Sequence, residues 1–329
     1  MQTYIRGQHS RRVAAIPLNK IVVLLLAIPL LSLATTGTVI ADSSPALTIP
    51  QWAQIMNLRP TPGIGCWTAS FPSLSWITAA CGDVSGYRQV PLNMGGQSGD
   101  KPANSINYAM TAATGSFTSE TGFTSESDSV AGTDWYTLQL NTNTFSTTVC
   151  LPTCTSATGW EQFIFANQGT GSLNGILLIE FWLINYGTCP AGWTTSSNNN
   201  CWKDSTHANY GYINPAYLSQ YTLTGQASST TDTSKICNTS TGNCFAQSGT
   251  DYLGLYNNNW WNTEYNVFGN NHQANFNTGF VLDVKINNFE TGQSCGSVSY
   301  TAETNNLNYN AGTCQGGLSS QYITFRESD

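Results

Sequence analysis

Residues 176–186 read ILLIEFWLINY, the most apolar stretch of the chain beyond its first 41 residues. Both faces that a β-strand would present here are apolar, which predicts a strand covered on both sides. Shorter apolar–polar alternations recur at 135–140, 160–166, 263–268 and 280–287, between clusters of Gly, Asn, Ser and Thr. Many short strands with almost no helical pattern predict an all-β fold, a two-sheet antiparallel β-sandwich of the concanavalin-like jelly-roll type.

The composition excludes several classes of protein. The 329 residues include 11 Lys and Arg against 18 Asp and Glu, giving a net charge of −7. Binding to phosphate backbones requires concentrated positive charge, so nucleic acid is not an expected partner. The aromatic content of 12% is too high for a disordered chain. A folded protein rich in aromatic and small polar residues remains.

The first 41 residues have the layout of a secretory signal peptide. Residues 1–20 carry four basic residues, residues 21–40 are uncharged and apolar, and Val39 and Ala41 are small residues before a cleavage point. An uncleaved anchor is the alternative, because the apolar run is nearly long enough to cross a bilayer. We expect cleavage after Ala41, secretion, and no membrane association of the mature protein.

Residues 42–329 divide into two parts according to whether they show apolar–polar alternation. Residues 42–102 begin with four prolines and little periodicity, which predicts an irregular N-terminal lead-in with one short helix at 51–58. Residues 103–329 carry the strand pattern and are the predicted β-sandwich domain.

Ten cysteines follow the predicted signal peptide, and an even count in an exported chain indicates disulfides. Zinc is not expected, because no Cys-x-x-Cys occurs and His207 and His272 are isolated residues expected in loops. Pairing between sequence neighbours would close short local loops. This pairing predicts the disulfides 66–81, 150–154, 189–201, 237–244 and 295–314.

Two carboxylates are the candidate catalytic groups. Glu180 lies in the middle of the most apolar strand, and Glu264 lies in the alternating segment 263–268. A carboxylate in such a strand is costly unless it is paired or protonated. If the two strands are neighbours in one sheet, the side chains meet over an aromatic-lined groove, and one of them keeps its proton. The alternative is a structural role, in which Glu180 accepts hydrogen bonds from buried groups.

Three segments resemble the secreted glutamic peptidases, namely the fungal eqolisins and, more remotely, the plant neprosin type. Residues 160–165 (WEQFIF) resemble the strand before the first catalytic position, 176–180 (ILLIE) the run that ends in the catalytic Gln, and 263–267 (TEYNV) the segment of the catalytic Glu. The resemblance implies a β-sandwich that hydrolyses peptide bonds in acid. At the eqolisin Gln position this chain has Glu180, which is closer to the neprosin pairing.

The resemblance also implies roles for these residues. Glu264, ionised, would activate a water molecule, and Glu180, protonated, would polarise the scissile carbonyl, although the two roles could be exchanged. Gln162 is an alternative amide partner. The candidate substrate-binding residues are Gln162, Trp160, Trp182 and Tyr265. No metal or cofactor is expected, and we expect a monomer that acts on polypeptide.

Two other functions compete with this one. Tyr252, Tyr256, Trp260 and Trp261 cluster in an Asn-rich stretch, and such aromatic side chains stack on sugars, so a glycan-binding or glycan-hydrolysing sandwich is an alternative. The spacing of the carboxyl groups distinguishes a glycosidase from a peptidase. A non-catalytic surface protein is the third alternative, and a buried, hydrogen-bonded Glu180 without a groove favours it.

Overall fold

A computed structural model describes residues 46–82, 103–105, 110–128, 130–149, 157–169, 175–196, 199–257, 260–269, 273–287, 289, 293–295, 304–317 and 320–329. The predicted signal peptide and His272 lie outside these residues. Residues Ala46–Asp329 form one structural unit. No helix in the described ranges is both long enough and apolar enough to span a bilayer.

The described residues form one α-helix, α1 (Ile49–Leu58), one 3-10 helix (Pro215–Gln220) and a series of strands. The first twelve strands are β1 (Gly65–Ser70), β2 (Ile77–Ala79), β3 (Cys81–Gly82), β4 (Ala103–Ser105), β5 (Ala112–Thr121), β6 (Glu126–Asp128), β7 (Gly132–Thr133), β8 (Tyr136–Thr142), β9 (Phe145–Thr147), β10 (Ala157–Ala166), β11 (Ile176–Ile184) and β12 (Thr194–Thr195). The others are β13 (Cys201–Asp204), β14 (His207–Asn209), β15 (Tyr221–Ala227), β16 (Thr231–Asn238), β17 (Asn243–Thr250), β18 (Asn262–Gly269), β19 (Gln273–Phe276), β20 (Val281–Asn287), β21 (Gln293–Cys295), β22 (Thr304–Asn305), β23 (Asn308–Gly317) and β24 (Ser320–Ser328).

Two large sheets form the sandwich, so the predicted fold class is confirmed. The back sheet has the order β2-β1-β17-β16-β15-β5-β20-β24-β23. The front sheet has the order β12-β13-β11-β10-β8-β18-β4-β21, with β14, β3 and β9 attached to it. A small third sheet contains β22, β19, β6 and β7. Pairing is antiparallel in both large sheets, and β19 pairs with β22 in parallel.

The main core lies between the two large sheets. It contains Leu138, Phe163 and Ile179 of the front sheet and Leu223 and Val284 of the back sheet, all fully buried. As predicted, β11 is an inner strand that is apolar on both faces. On its second face, Ile176 and Leu178 form a small cluster with Ile164 and Ala166.

Two glycines of the back sheet allow aromatic rings of the front sheet to approach its backbone. Gly115 on β5 lies against the ring of Tyr265, and Gly225 on β15 lies against the ring of Phe163. A Cβ at either position would overlap the ring, so these residues must lack a side chain if the sheets are to pack at this separation.

In the described part of the predicted lead-in, 46–82, the predicted short helix is present as α1, and three short strands that were not predicted follow it. Thr48 caps α1 by a capping box, and the helix covers the back sheet, where Trp52 and Met56 are buried. Strand β1 pairs with β17 and extends the back sheet. The prolines misled the prediction because they lie at the first turn of the helix and in the turn after it, where they are tolerated.

Three of the predicted disulfides are present, namely Cys66–Cys81, Cys189–Cys201 and Cys237–Cys244. Each closes a short local loop, as the spacing predicted. Cys150 and Cys154 lie outside the described residues, and for the 295–314 pair only the backbone is described. Those two pairings stay predictions.

Candidate functional site

Five polar side chains form a line across the front sheet, one on each of five neighbouring strands. Asp204 on β13 lies opposite Glu180 on β11, and Glu180 lies opposite Gln162 on β10. Gln162 lies opposite Asn141 on β8, which in turn lies opposite Glu264 on β18. Residues opposite one another in a sheet share a face, so these five residues, which we call the polar row, lie on one face.

This face is turned away from the core between the sheets. The sequence neighbours of the row, among them Leu140, Phe163, Phe181 and Tyr265, all belong to the main core. Successive side chains of a strand point to opposite faces. The polar row therefore lies on the outer face of the front sheet.

Hydrogen bonds connect the first half of the polar row through an indole. Trp182 Nε1 donates to Glu180 Oε1 at 2.7 Å and to Gln162 Oε1 at 3.1 Å. The ring nitrogen therefore bridges the carboxylate and the amide and fixes both side chains.

The second half is connected by amides. Gln162 Nε2 donates to Gln139 Oε1 at 2.8 Å and to Asn141 Oδ1 at 3.1 Å. Asn141 Nδ2 donates to Glu264 Oε2 at 3.3 Å. Each amide accepts on one side and donates on the other, so the contacts run without interruption from Glu180 to Glu264.

The expectation that the strands of Glu180 and Glu264 are neighbours is wrong. Strands β10 and β8 lie between β11 and β18. Adjacent strands lie about 4.8 Å apart, so three steps place the two backbones roughly 14 Å apart. Gln162 is only two steps, roughly 10 Å, from Glu264. The geometry therefore makes Gln162, and not Glu180, the nearer partner of Glu264.

Asp204 gives Glu180 a second carboxyl group as neighbour. Burial raises the pKa of Asp204 to about 7, and a hydrogen bond with Glu180 opposes this shift. Two adjacent carboxyl groups are most easily accommodated when one of them holds a proton that the other accepts. Since the hydrogen bond with Glu180 favours the ionised form of Asp204 while burial favours its neutral form, the pair holds a proton below neutral pH that the two carboxyl groups share.

Three indoles lie beside the polar row. Trp160 and Trp182 are opposite one another, as are Trp182 and Trp202, and each pair of ring centroids is 6.4 Å apart. Two of the predicted substrate-binding residues, Trp160 and Trp182, are thus next to the polar row. A third, Gln162, is a member of the row.

Tyr265 was predicted to bind substrate, but it lies on the wrong face of the sheet. Its ring is fully buried against Gly115 and Phe117 in the main core. Alternation from Glu264 already puts its immediate neighbour on the opposite face.

The four aromatic residues considered for sugar stacking are divided between the buried core and the exposed surface. Trp260 is fully buried and stacks on Phe163. Tyr252, Tyr256 and Trp261 are exposed, and the ring of Tyr252 also packs edge-on against Phe181.

Sequence reasoning missed Asn141 and Asp204 and misjudged His207. Alternation could have found the first two. Asn141 is two residues after Gln139 and therefore on the same face of β8. Asp204 is two residues from Trp202, just as Glu180 is two residues from Trp182, so each carboxyl group shares a face with an indole. His207, expected in a surface loop, lies in β14, where it is buried opposite Gly82 of β3. Gly82 reaches this position through the Cys66–Cys81 disulfide and through the pairing of β3 with β14, neither of which alternation along the chain reveals.

The polar row is almost inaccessible to solvent. Glu180 exposes 0% of its surface and Glu264 exposes 2%. The burial of Glu180 and its hydrogen bond with Trp182 are the observations that favour the non-catalytic alternative, and a ligand can reach the row only after the side chains that bury it rearrange. What the row offers chemically is the carboxyl group of Glu264 beside the amides of Asn141 and Gln162 at one end, and the adjacent carboxyl groups of Glu180 and Asp204 at the other.

No protein-family model matches the chain, and no curated protein matches its sequence. Among solved structures, the chain is similar to Scytalido-glutamic peptidase crystallised with a peptide-based transition-state analogue, with a TM-score of 0.28 and 12% identity over 71% of this chain and 100% of that one. It is also similar to the enzymatically active domain of a tailspike protein of bacteriophage CBA120, with a TM-score of 0.25 and 9% identity over 71% of this chain and 30% of that one. Both likenesses are low and concern the β fold alone.

Proposed function

We propose that this chain is an exported hydrolase that cleaves peptide bonds in acid, with Glu264 as the general base and Gln162 as the group that stabilises the oxyanion. The observation that carries the proposal is the unbroken polar row, which places a carboxylate two strands from an amide with Asn141 between them. The three disulfides support export, because such bonds persist in oxidising compartments.

In the first step, Glu264 accepts a proton from a water molecule, and the water oxygen bonds to the scissile carbonyl carbon. Asn141 orients the carboxylate through its Nδ2 donor. Since the carbonyl double bond becomes a single bond, its oxygen gains a full negative charge.

In the second step, the amide N–H of Gln162 donates to that oxyanion. Both Gln162 N–H groups are already used, toward Gln139 and Asn141, so substrate must displace one of these bonds. Glu264 then delivers its proton to the departing nitrogen as the C–N bond breaks. Glu180 positions Gln162 through Trp182 and does not itself contact the reacting atoms in this scheme.

The same spacing counts against a glycosidase that uses the two glutamates. Carboxyl groups in glycosidases lie about 5–5.5 Å or about 6.5–9.5 Å apart, whereas the strands of Glu180 and Glu264 are roughly 14 Å apart. The amide between them has no counterpart in the two-carboxylate scheme.

Casein digestion at about pH 4 by matched variants tests the proposal. We expect Glu264→Gln to lose at least roughly 100-fold in rate, because it removes the general base, and Gln162→Ala to lose about 100-fold or more, because it removes the oxyanion donor. Glu180→Gln should retain more activity, since an amide oxygen can still accept from Trp182. Glu120→Gln, on β5, is the control and should digest as the wild type does.

Two results would contradict the proposal. One is equal digestion by the wild type and Glu264→Gln. The other is an optimum above about pH 8, since Asp204, whose pKa burial raises to about 7, is then ionised beside Glu180.

A further inference from the structure

Three carboxylates meet between the two large sheets, away from the polar row. Glu161 is on β10 of the front sheet, Asp232 is on β16 of the back sheet, and Asp251 directly follows β17. Their ligand oxygens all lie within 4.8 Å of one another. Glu161 and Asp232 are completely buried.

The oxygens of Glu161 lack hydrogen-bond partners. Glu161 exposes 0% of its surface, and neither Oε1 nor Oε2 has a partner among the described residues. Its carboxylate is nevertheless directed at Asp232 and Asp251. Since a buried polar group without a partner costs free energy, this arrangement indicates a ligand at the point where the three side chains meet.

Two uncharged polar residues lie near the three carboxylates along the β16–β17 hairpin. Ser234 and Gln247 face one another on β16 and β17, and their buried Oγ and Oε1 atoms also lack partners in the described structure. By alternation Ser234 is on the same face as Asp232. Asp251 is held in place, because its Oδ1 accepts from the backbone N–H groups of Gly254 and Leu255.

No side-chain cation compensates the three carboxylates in the part of the chain that the structure describes. The nearest lysine along β16, Lys235, is on the other face, where its Nζ donates to the backbone oxygens of Asn57 and Arg59 and to Gln226. Three like charges at this separation in the interior would be strongly destabilising. They must be neutralised by protons or by a bound cation.

We propose that Glu161, Asp232 and Asp251 bind a calcium ion between the two sheets. Hard divalent cations take carboxylate and carbonyl oxygens, and Ca–O distances of about 2.3–2.6 Å allow two ligands of one ion to lie up to about 5 Å apart. Mg–O distances of about 2.0–2.1 Å limit that separation to about 4.2 Å. Oxygens within 4.8 Å of one another are compatible with one calcium ion, which accepts irregular sets of carboxylate ligands, whereas magnesium requires near-ideal octahedral geometry and retains several waters.

The ion would connect the sheets at this end of the sandwich. Glu161 belongs to β10, and the two aspartates belong to the β16–β17 hairpin of the opposite sheet. Gln162, the next residue along β10, points to the outer face and is part of the polar row. The ion would fix β10 from its inner side, in contrast to the sequence-based expectation of no metal, which rested on the absence of Cys and His ligand motifs.

Thermal unfolding of the full chain at about pH 7.5 tests the site. Protein stripped with EDTA and then titrated with CaCl2 should show a saturable rise in Tm of roughly 5 °C. MgCl2 at the same concentrations should give a much smaller rise. Tb³⁺ should bind to the stripped protein, and its luminescence should fall when calcium displaces it.

Variants locate the effect. Glu161→Gln and Asp232→Asn should abolish the rise in Tm and the Tb³⁺ signal, and both should fold without calcium because each removes a buried charge. Glu264→Gln, on the other face of the sheet, should keep both. An unchanged Tm of the wild type in EDTA and in about 10 mM calcium, or an equal calcium response in Glu161→Gln, would overturn the proposal; the first result would show that protons neutralise the carboxylates.

Discussion

At the scale of single residues, Gly115 and Gly225 allow the two sheets to approach closely. Each lies under an aromatic ring of the front sheet, Tyr265 and Phe163 respectively. We expect Gly115→Ala and Gly225→Ala each to lower the free energy of unfolding by about 1–3 kcal/mol or more, because the new methyl group forces the ring or the sheet to shift. Urea denaturation followed by tryptophan fluorescence measures the change.

The matched control is Gly63→Ala, since a Cβ at that position has nothing within 4 Å. This variant should be within about 0.5 kcal/mol of the wild type. If all three variants unfolded at the same urea concentration, the close approach of the rings to the back sheet would be contradicted.

Individual site residues were predictable only as far as alternation along one strand extends. Glu180, Gln162 and Trp182 were found because a polar or bulky side chain in an apolar strand is conspicuous in the sequence. Asn141 was missed because an asparagine is not conspicuous in a segment that already contains several Thr and Asn residues. Tyr265 was placed on the wrong face because a motif, and not the two-residue period, was followed.

At the scale of elements, one buried lysine helps to attach helix α1 to the back sheet, in addition to the packing of Trp52 and Met56. Lys235 on β16 exposes 0% of its surface. Its Nζ donates to Asn57 O at 2.9 Å, to Arg59 O at 2.8 Å and to Gln226 Oε1 at 2.7 Å. The first two acceptors are at the C-terminal end of α1, where unpaired carbonyls and the helix dipole favour a cation.

We expect Lys235→Met to lower the free energy of unfolding by about 2–4 kcal/mol, because it keeps the aliphatic volume but leaves three acceptors without a donor. Backbone amides of α1 should lose hydrogen-exchange protection before those of β16. Lys285→Met is the control, since Lys285 only stacks on Tyr322, 4.1 Å from its ring centroid, and should cost less than about 1 kcal/mol. Uniform loss of protection over the whole back sheet would show that Lys235 does not act on the helix specifically.

The strands themselves were predictable, but their neighbours were not. Alternation located β8, β10, β11, β18 and β20, because it is a local property of the sequence. Sheet order depends on which distant segments pair, and β8 lies between β10 and β18 in the sheet although 119 residues of chain separate the end of β8 from the start of β18. The assumption that two promising strands were adjacent therefore failed, and with it the direct Glu180–Glu264 pair.

At the scale of the whole molecule, two buried carboxyl groups contribute to how stability depends on pH. Burial, and then the charges of Asp134 and Asp128, raise the pKa of Glu126 from 4.5 to about 8. Burial likewise raises that of Asp204 from 3.8 to about 7, against the hydrogen bond from Glu180. The Arg326–Asp283 ion pair lowers the pKa of Asp283, but it is largely exposed and contributes little.

The folded protein thus holds protons on Glu126 and Asp204 at pH values where the unfolded chain has released them. Their contribution to stability is complete below about pH 4 and is lost as the pH rises to about 8. In buffers containing EDTA, we expect Tm to be at least about 4 °C higher at pH 4 than at pH 8. Glu126→Gln and Asp204→Asn should each reduce this difference, since an amide has no proton to lose. A Tm that rises from pH 4 to pH 8, in the wild type or in both variants alike, would show that these two carboxyl groups do not control the stability of the sandwich.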